Sequence, residues 1–261
     1  MLTFPLTLSA IFPPVQASTP ITFDSANSNS CASSGGFCST LSWSHTIGAG
    51  SNGILLVGVS HSGLFTSASV TFGATSLTFL THHVGTKNAV ELWVLMNPPI
   101  GSGTILVTLG VSVQFVVVGS VSYFNVVGTR TPSGNHGITS TPPSVSVTTS
   151  PDDLVIDTLA VSVGGSTTTS PTGPGQMQHW NSGPITIGPA QFFVGSGSDQ
   201  PASGPSVTMS WSVSSVPSYA WSLIAVPLIP ATPIPEYPLG LPILAIFTVI
   251  AYGLIKRKTR N

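Results

Sequence analysis

Charge is what this sequence most lacks. Of 261 residues, six are Lys or Arg and seven are Asp or Glu, 5 per cent together, where an ordinary soluble domain carries roughly 25 per cent. Four of the six basic residues, Lys256, Arg257, Lys258 and Arg260, fall in the last six positions. Between Ser18 and Pro235 only Lys87 and Arg130 are basic, set against Asp24, Glu91, Asp152, Asp153, Asp157 and Asp199. Nucleic-acid binding needs clustered cations that displace counterions from phosphates, so that class of partner is excluded. So few titratable groups also predict a stability that changes little with pH.

Catalytic patterns are missing too. There is no GxSxG elbow, P-loop, dinucleotide-binding glycine pattern or HExxH pair, and each carries chemistry the chain would then have to supply otherwise. The body has a single glutamate, Glu91, in VELWVL. Alternation against Val90, Leu92 and Val94 predicts it on an outer face beside Lys87, not in a cleft facing a second carboxylate. The expectation is no enzyme activity and no cofactor.

The six histidines (His45, His61, His82, His83, His136, His179) are scattered. Neighbours such as His82 and His83 point to opposite faces of a strand, so loop and surface positions are expected and no metal site. Asp153 and Asp157 are four strand residues apart, about 13 Å, too far for one calcium ion to bridge. Ser150-Pro151-Asp152-Asp153 instead reads as a turn.

Hydroxyls take the place of charge, with Ser and Thr making up roughly a quarter of the chain. With no N-x-Ser/Thr sequon, any glycosylation is expected on these hydroxyls. The only cysteines, Cys31 and Cys38, stand seven apart in CASSGGFC; in an exported chain such a pair reads as one local disulfide.

Between the ends, short Val/Ile/Thr/aromatic segments are bounded by Gly, Pro, Asn and Ser, which is the strand and turn signature. Strands are predicted at 54–60, 69–73, 77–81, 90–96, 104–109, 114–126, 144–148, 154–163, 191–194, 206–211 and 219–228. This predicts an all-β fold, a jelly-roll-like two-sheet β-sandwich over 18–226. The order turn, ILVTL, loop, VVVGSVSYF echoes turn, SVTMSW, loop, YAWSLIAVPL, and GILLVGVS echoes DLVIDTLAVSV. The echo marks a pseudo-repeat, 51–130 and 144–228, within one sandwich; two tandem sandwiches are the alternative. Of the five tryptophans, Trp93, Trp211 and Trp221 fit core positions, whereas Trp43 and Trp180 have polar flanks. Those two are the candidates for stacking against sugars.

The ends carry topology. Residues 1–17 hold a short apolar run closing on Val15-Gln16-Ala17, as in a signal peptide. Residues 239–255 are uncharged and are followed at once by KRKTR. That combination predicts one transmembrane helix with a basic cytoplasmic tail (256–261) and the body outside the cell. The proline-rich stretch 227–238 would act as a semi-rigid spacer.

Within that stretch, Pro235, Glu236 and Tyr237, followed by the apolar helix and the basic cluster, resemble the PEF-CTERM type of sorting signal of archaeal surface proteins. Tyr237 stands where that family usually has Phe. The resemblance, over about the last 29 residues, implies processing by an archaeosortase-like transpeptidase and attachment at the outer face of the membrane. Residues 51–229 are also similar to a β-sandwich module of exported bacterial and archaeal proteins, a likeness that implies fold and location but no chemistry. Taken together, the sequence predicts a membrane-attached structural or adhesive surface protein, with envelope proteins as partners. The alternative is a binder of surface glycans.

Overall fold

A computed structural model describes residues 18–35, 37–138, 141–214 and 219–232. The signal-peptide reading (1–17), the sorting motif Pro235, Glu236 and Tyr237, the span 239–255 and the basic residues Lys256, Arg257, Lys258 and Arg260 lie outside them. Among the described residues every regular element is a strand, and no helix is long and apolar enough to cross a membrane.

The first half of the chain gives β1 (Thr22–Ala32), β2 (Cys38–Ile47), β3 (Ile54–His61), β4 (Ser67–Phe72), β5 (Thr75–Ser76), β6 (Thr78–Val84), β7 (Ala89–Met96), β8 (Gly101–Val113) and β9 (Phe115–Phe124). The second gives β10 (Val126–Thr129), β11 (Ser133–Ile138), β12 (Ser144–Thr148), β13 (Leu154–Val163), β14 (Thr169–Pro171), β15 (Met177–Ile187), β16 (Gln191–Pro201), β17 (Ser206–Val213) and β18 (Tyr219–Pro230). The all-β class holds, but there are four sheets and not two. Their orders are β2-β8-β4-β5, β1-β9-β3-β7-β6, β10-β18-β13-β16-β15 with β11 also on β18, and β12-β17-β14. All pairings are antiparallel.

Both halves share one connectivity. The large sheet of the first half runs β1-β9-β3-β7-β6, and that of the second runs β11-β18-β13-β16-β15. Each is faced by a small sheet, β2-β8-β4 or β12-β17-β14. Leaving out the short β5 and β10 and numbering the other eight strands of each half in chain order, both halves run 1-8-3-6-5 over 2-7-4, a sandwich of a large and a small antiparallel sheet. The segments that echo in sequence occupy matching places: β3 with β13, and β8–β9 with β17–β18.

Three cores hold the layers together, and strand alternation assigns residues to each. On β3, Leu55, Val57 and Val59 face the first small sheet, whereas Ile54 and Leu56 face the other half. On β18, Ile224, Val226 and Leu228 enter that same middle core, while Trp221, Leu223 and Ala225 face the second small sheet. The two large sheets therefore bury both faces, which is why β3, β9, β13 and β18 read as almost unbroken apolar runs. Residues 18–231 form one compact unit.

Glycine sets how closely the two large sheets approach. A β-carbon at Gly119 or Gly197 would fall inside the indole of Trp180, and one at Gly58 would crowd Trp180 and Thr158. Trp180, on β15, fills the space these glycines leave.

Besides the short β5, β10 and β14, four longer strands escape a reading based on apolar alternation: β1, β2, β11 and β15. They are rich in Ser, Asn and Gly because they lie at the open sides of the layers. There, side-chain amides bridge from a large sheet to its small partner. Asn27 Nδ2 donates to Ser44 O (2.8 Å) and Asn29 Nδ2 to Ser42 O (2.9 Å). The second half repeats the device, with Asn135 Nδ2 donating to Ser144 O at 2.8 Å. Each Asn Oδ1 also accepts the next backbone N–H, from Ser28, Ser30 and His136.

Candidate binding groove

At one pole the loops of both halves surround an open groove of about 710 Å³. Its aromatic lining includes Phe65, Phe115, Phe192, Phe193 and Tyr219; Phe65, Phe192 and Tyr219 are half-buried, and Phe115 and Phe193 form the floor. Ser62, Ser112, Gln114 and Gln191 add hydroxyls and amides, and among the described residues Lys87 is the one charged side chain in the lining.

Buried polar groups fix the groove walls. The loop between β3 and β4 is held by Glu91, which is fully buried. Glu91 Oε1 accepts from Ser67 N–H (2.6 Å) and His61 Nε2 (3.0 Å), and Oε2 accepts from Trp93 Nε1 (2.8 Å). His61 Nδ1 accepts from Gly63 N–H at 3.1 Å, so its proton sits on Nε2, facing the carboxylate. Phe65 then stacks on the His61 ring at 4.8 Å. Glu91 therefore does not lie on an outer face beside Lys87. Its face is that of Trp93, in the first core, and a buried carboxylate needs the three donors it has.

Lys87 is placed by its neighbour Asn88, which links the halves. Asn88 Nδ2 donates to Ala220 O and Ser162 Oγ, both at 3.0 Å, and Ser222 Oγ donates to Asn88 Oδ1 at 2.6 Å. Among the described residues no carboxylate lines the groove, so those residues offer it no acid pair.

The remaining sequence candidates fall elsewhere. Cys31 and Cys38 form a disulfide, with Cα atoms 6.1 Å apart. Trp43 and Trp180 are only 7 and 5 per cent exposed, so neither can stack on a ligand. Their polar flanks mislead for a physical reason. Trp43 Nε1 donates to Ser120 Oγ (2.9 Å), a polar contact between two sheets, and Trp180 fills the glycine-lined seam.

Nor are His45 and His61 surface groups; both are buried. His45 lies between Ser120 Oγ (2.9 Å) and Ser122 Oγ (3.0 Å), and Ser122 in turn donates to Asp24 at 2.7 Å. Burial lowers the His45 pKa to about 4, with Asp24 opposing the shift. Asp153 closes the expected turn from Ser150 and pairs with Arg130. Asp157 is buried in the third core and accepts from Ser198 N–H (2.8 Å), Ser198 Oγ (2.7 Å) and Trp211 Nε1 (2.6 Å). Burial nevertheless pushes its carboxyl up to about 7, against those hydrogen bonds.

The groove residues were not picked out by sequence reasoning. Their available signal was weak: isolated aromatics, as in GLFTS and AQFFV, inside Gly/Ser/Pro-bounded loops. Comparison with protein-family models, curated proteins and solved structures found no match.

Proposed function

We propose that this chain is a membrane-attached surface protein whose double jelly roll presents a glycan-binding groove away from the envelope. The observation that carries this reading is polarity. Thr19 N donates to Ala231 O at 2.8 Å, so the described chain enters and leaves at one pole. β18 runs from Tyr219, in the groove lining, to Pro230 beside that exit, a path of 12 residues that spans about 36 Å. Under this reading the chain is attached beyond its exit pole, through a span at 239–255 or archaeosortase-type transfer at Pro235-Glu236-Tyr237, and the groove lies at the other pole of residues 18–231. The groove chemistry favours a hydroxyl-rich, weakly charged polymer: half-buried rings to stack on, neutral donors and acceptors, and one cation. Binding and adhesion, not catalysis, follow from that lining.

The test uses cells displaying the full chain, probed with labelled glycans and then shaved with protease. Phe65→Ala and Lys87→Ala are expected to weaken binding about tenfold each, the size of one lost contact of roughly 1.4 kcal/mol. Protease is expected to remove both the protein and the binding. Glycan binding indifferent to both substitutions would exclude the groove, and a protein untouched by protease on intact cells would exclude surface display.

A further inference from the structure

Formal charge is spread unevenly along the body. Asp24, near the start of β1, and Asp152 and Asp153, in the turn before β13, lie at the pole where the chain enters and leaves. Arg130 is there too, paired with Asp153. Asp157 and Asp199 stand nearer mid-length, on β13 and β16. Toward the groove pole the described charges are Lys87 and Glu91, and Glu91 is buried in the first core with donors on both oxygens. Among the described residues no carboxylate pairs with Lys87. Resting on the glycan-binding reading of the groove, we infer that it selects acidic glycans, in which an occasional sugar carries a uronate carboxylate or a sulfate ester that meets Lys87.

The fold holds that cation beside an aromatic ring. Asn88 is fully buried and its amide donates to Ala220 O and Ser162 Oγ of the second half, so Lys87, one residue earlier, is fixed next to the stretch that begins with Tyr219. Gly85 N–H donates to Asn88 O at 2.9 Å and closes the turn that carries Lys87. Ser162, Tyr219 and Ala220 all line the groove together with Lys87. A pyranose lying on the half-buried Tyr219 ring leaves its C6 substituent at the rim of the stack, where the flexible four-carbon stem of Lys87 can follow it. Lysine is a compact cation without the planar fork of arginine, so it accepts a carboxylate and a sulfate ester alike. The other polar side chains of the lining, Ser62, Ser112, Gln114 and Gln191, are neutral, so the sugars on either side need no charge. With the acids gathered at mid-length and at the opposite pole, the field of the body also steers an anion toward the groove.

The test is calorimetric titration of the full chain in detergent with short glucan, mannan and galactan oligomers, each beside its C6-oxidised uronate form and its C6 sulfate ester. For at least one backbone an acidic form should bind about fivefold tighter than the neutral one, the upper end of what an exposed ion pair contributes. Salt at about 0.5 M should erase most of that difference. A gain with the uronate alone, or with the sulfate alone, supports the proposal and names the anionic group. Lys87→Gln should bring the acidic form down to the affinity of its neutral counterpart, and Lys87→Arg should keep the preference; circular dichroism of each variant confirms that it is folded. Acidic and neutral oligomers bound alike, with Phe65→Ala weakening both, would overturn the charge preference and leave the glycan reading standing. A preference that survives Lys87→Gln would overturn it as well. Absence of binding by every oligomer would overturn both.

Discussion

Gly119→Val is expected to cost the whole body about 3 kcal/mol, lowering its melting temperature by roughly 6–12 °C. The β-carbon alone would overlap the Trp180 indole, and two further methyl groups have no empty volume to enter. Trp180 cannot swing away, because Gly58 and Gly197 hem the same ring. The seam lies between the two large sheets, so the loss should appear as a single transition shared by both halves. Trp180→Ala, which empties the seam, should cost a similar or larger amount, about 3–5 kcal/mol. Gly204→Ala is the control: a β-carbon there meets nothing within 4 Å. Calorimetry on the three variants decides the matter. Gly119→Val melting within a degree or two of the unchanged chain would mean that the two halves do not pack through this ring.

The second large effect is concealed in the unsubstituted protein. Asp157 has a folded pKa of about 7, above its ordinary 3.8. The folded state therefore holds a proton that the unfolded chain releases, and this contribution, present below pH 4, is lost as pH rises toward 7. His45 has the opposite sign. Its folded pKa is about 4, below the ordinary 6.5, so its contribution is present above pH 6.5 and is lost as pH falls toward 4. At 1.36 kcal/mol per unit the two are on the order of 4 kcal/mol for Asp157 and 3 kcal/mol for His45, and over pH 4 to 6.5 they oppose one another.

The unsubstituted protein should thus show a nearly flat profile. This is the outcome a low count of titratable groups also suggests, but here cancellation produces it. His45→Gln exposes the Asp157 slope, and its stability should fall as pH rises across the window. Asp157→Asn exposes the His45 slope, and its stability should rise. Denaturant melts at pH 4, 5 and 6.5 would settle the signs. Two variants sloping in the same direction would refute the pairing.

The class of fold was legible because β3, β9, β13 and β18 carry unbroken apolar runs that have no helical period. The same runs hid the number of layers. A strand apolar on both faces fits one thick core as well as a sheet between two cores, and only the partition of Leu55 from Leu56, or of Leu223 from Ile224, separates the cases. The polar strands were missed because Asn27, Asn29 and Asn135 weigh against strand in any propensity reading, yet here they span the gap between sheets. Trp43 and Trp180 were misplaced for the same reason, since serine and glycine around a ring look like surface but line a buried seam. Glu91 was misplaced because alternation gives a face, not an exposure, and its three donors come from other segments. The groove draws on five or more loops brought together by the order of the strands in the sheets, so no local pattern announces it.

The asparagine bridges along the open sides have one more consequence. They join neutral amides to neutral carbonyls, and across the described body Arg130–Asp153 is the one pair of permanently charged groups, two further carboxylates being met by histidines. Dissolved electrolyte acts by shortening the reach of charges, to about 3 Å at 1 M, and here there is little for it to shorten. A shell stitched in this way should keep its shape in dilute water and in brine alike.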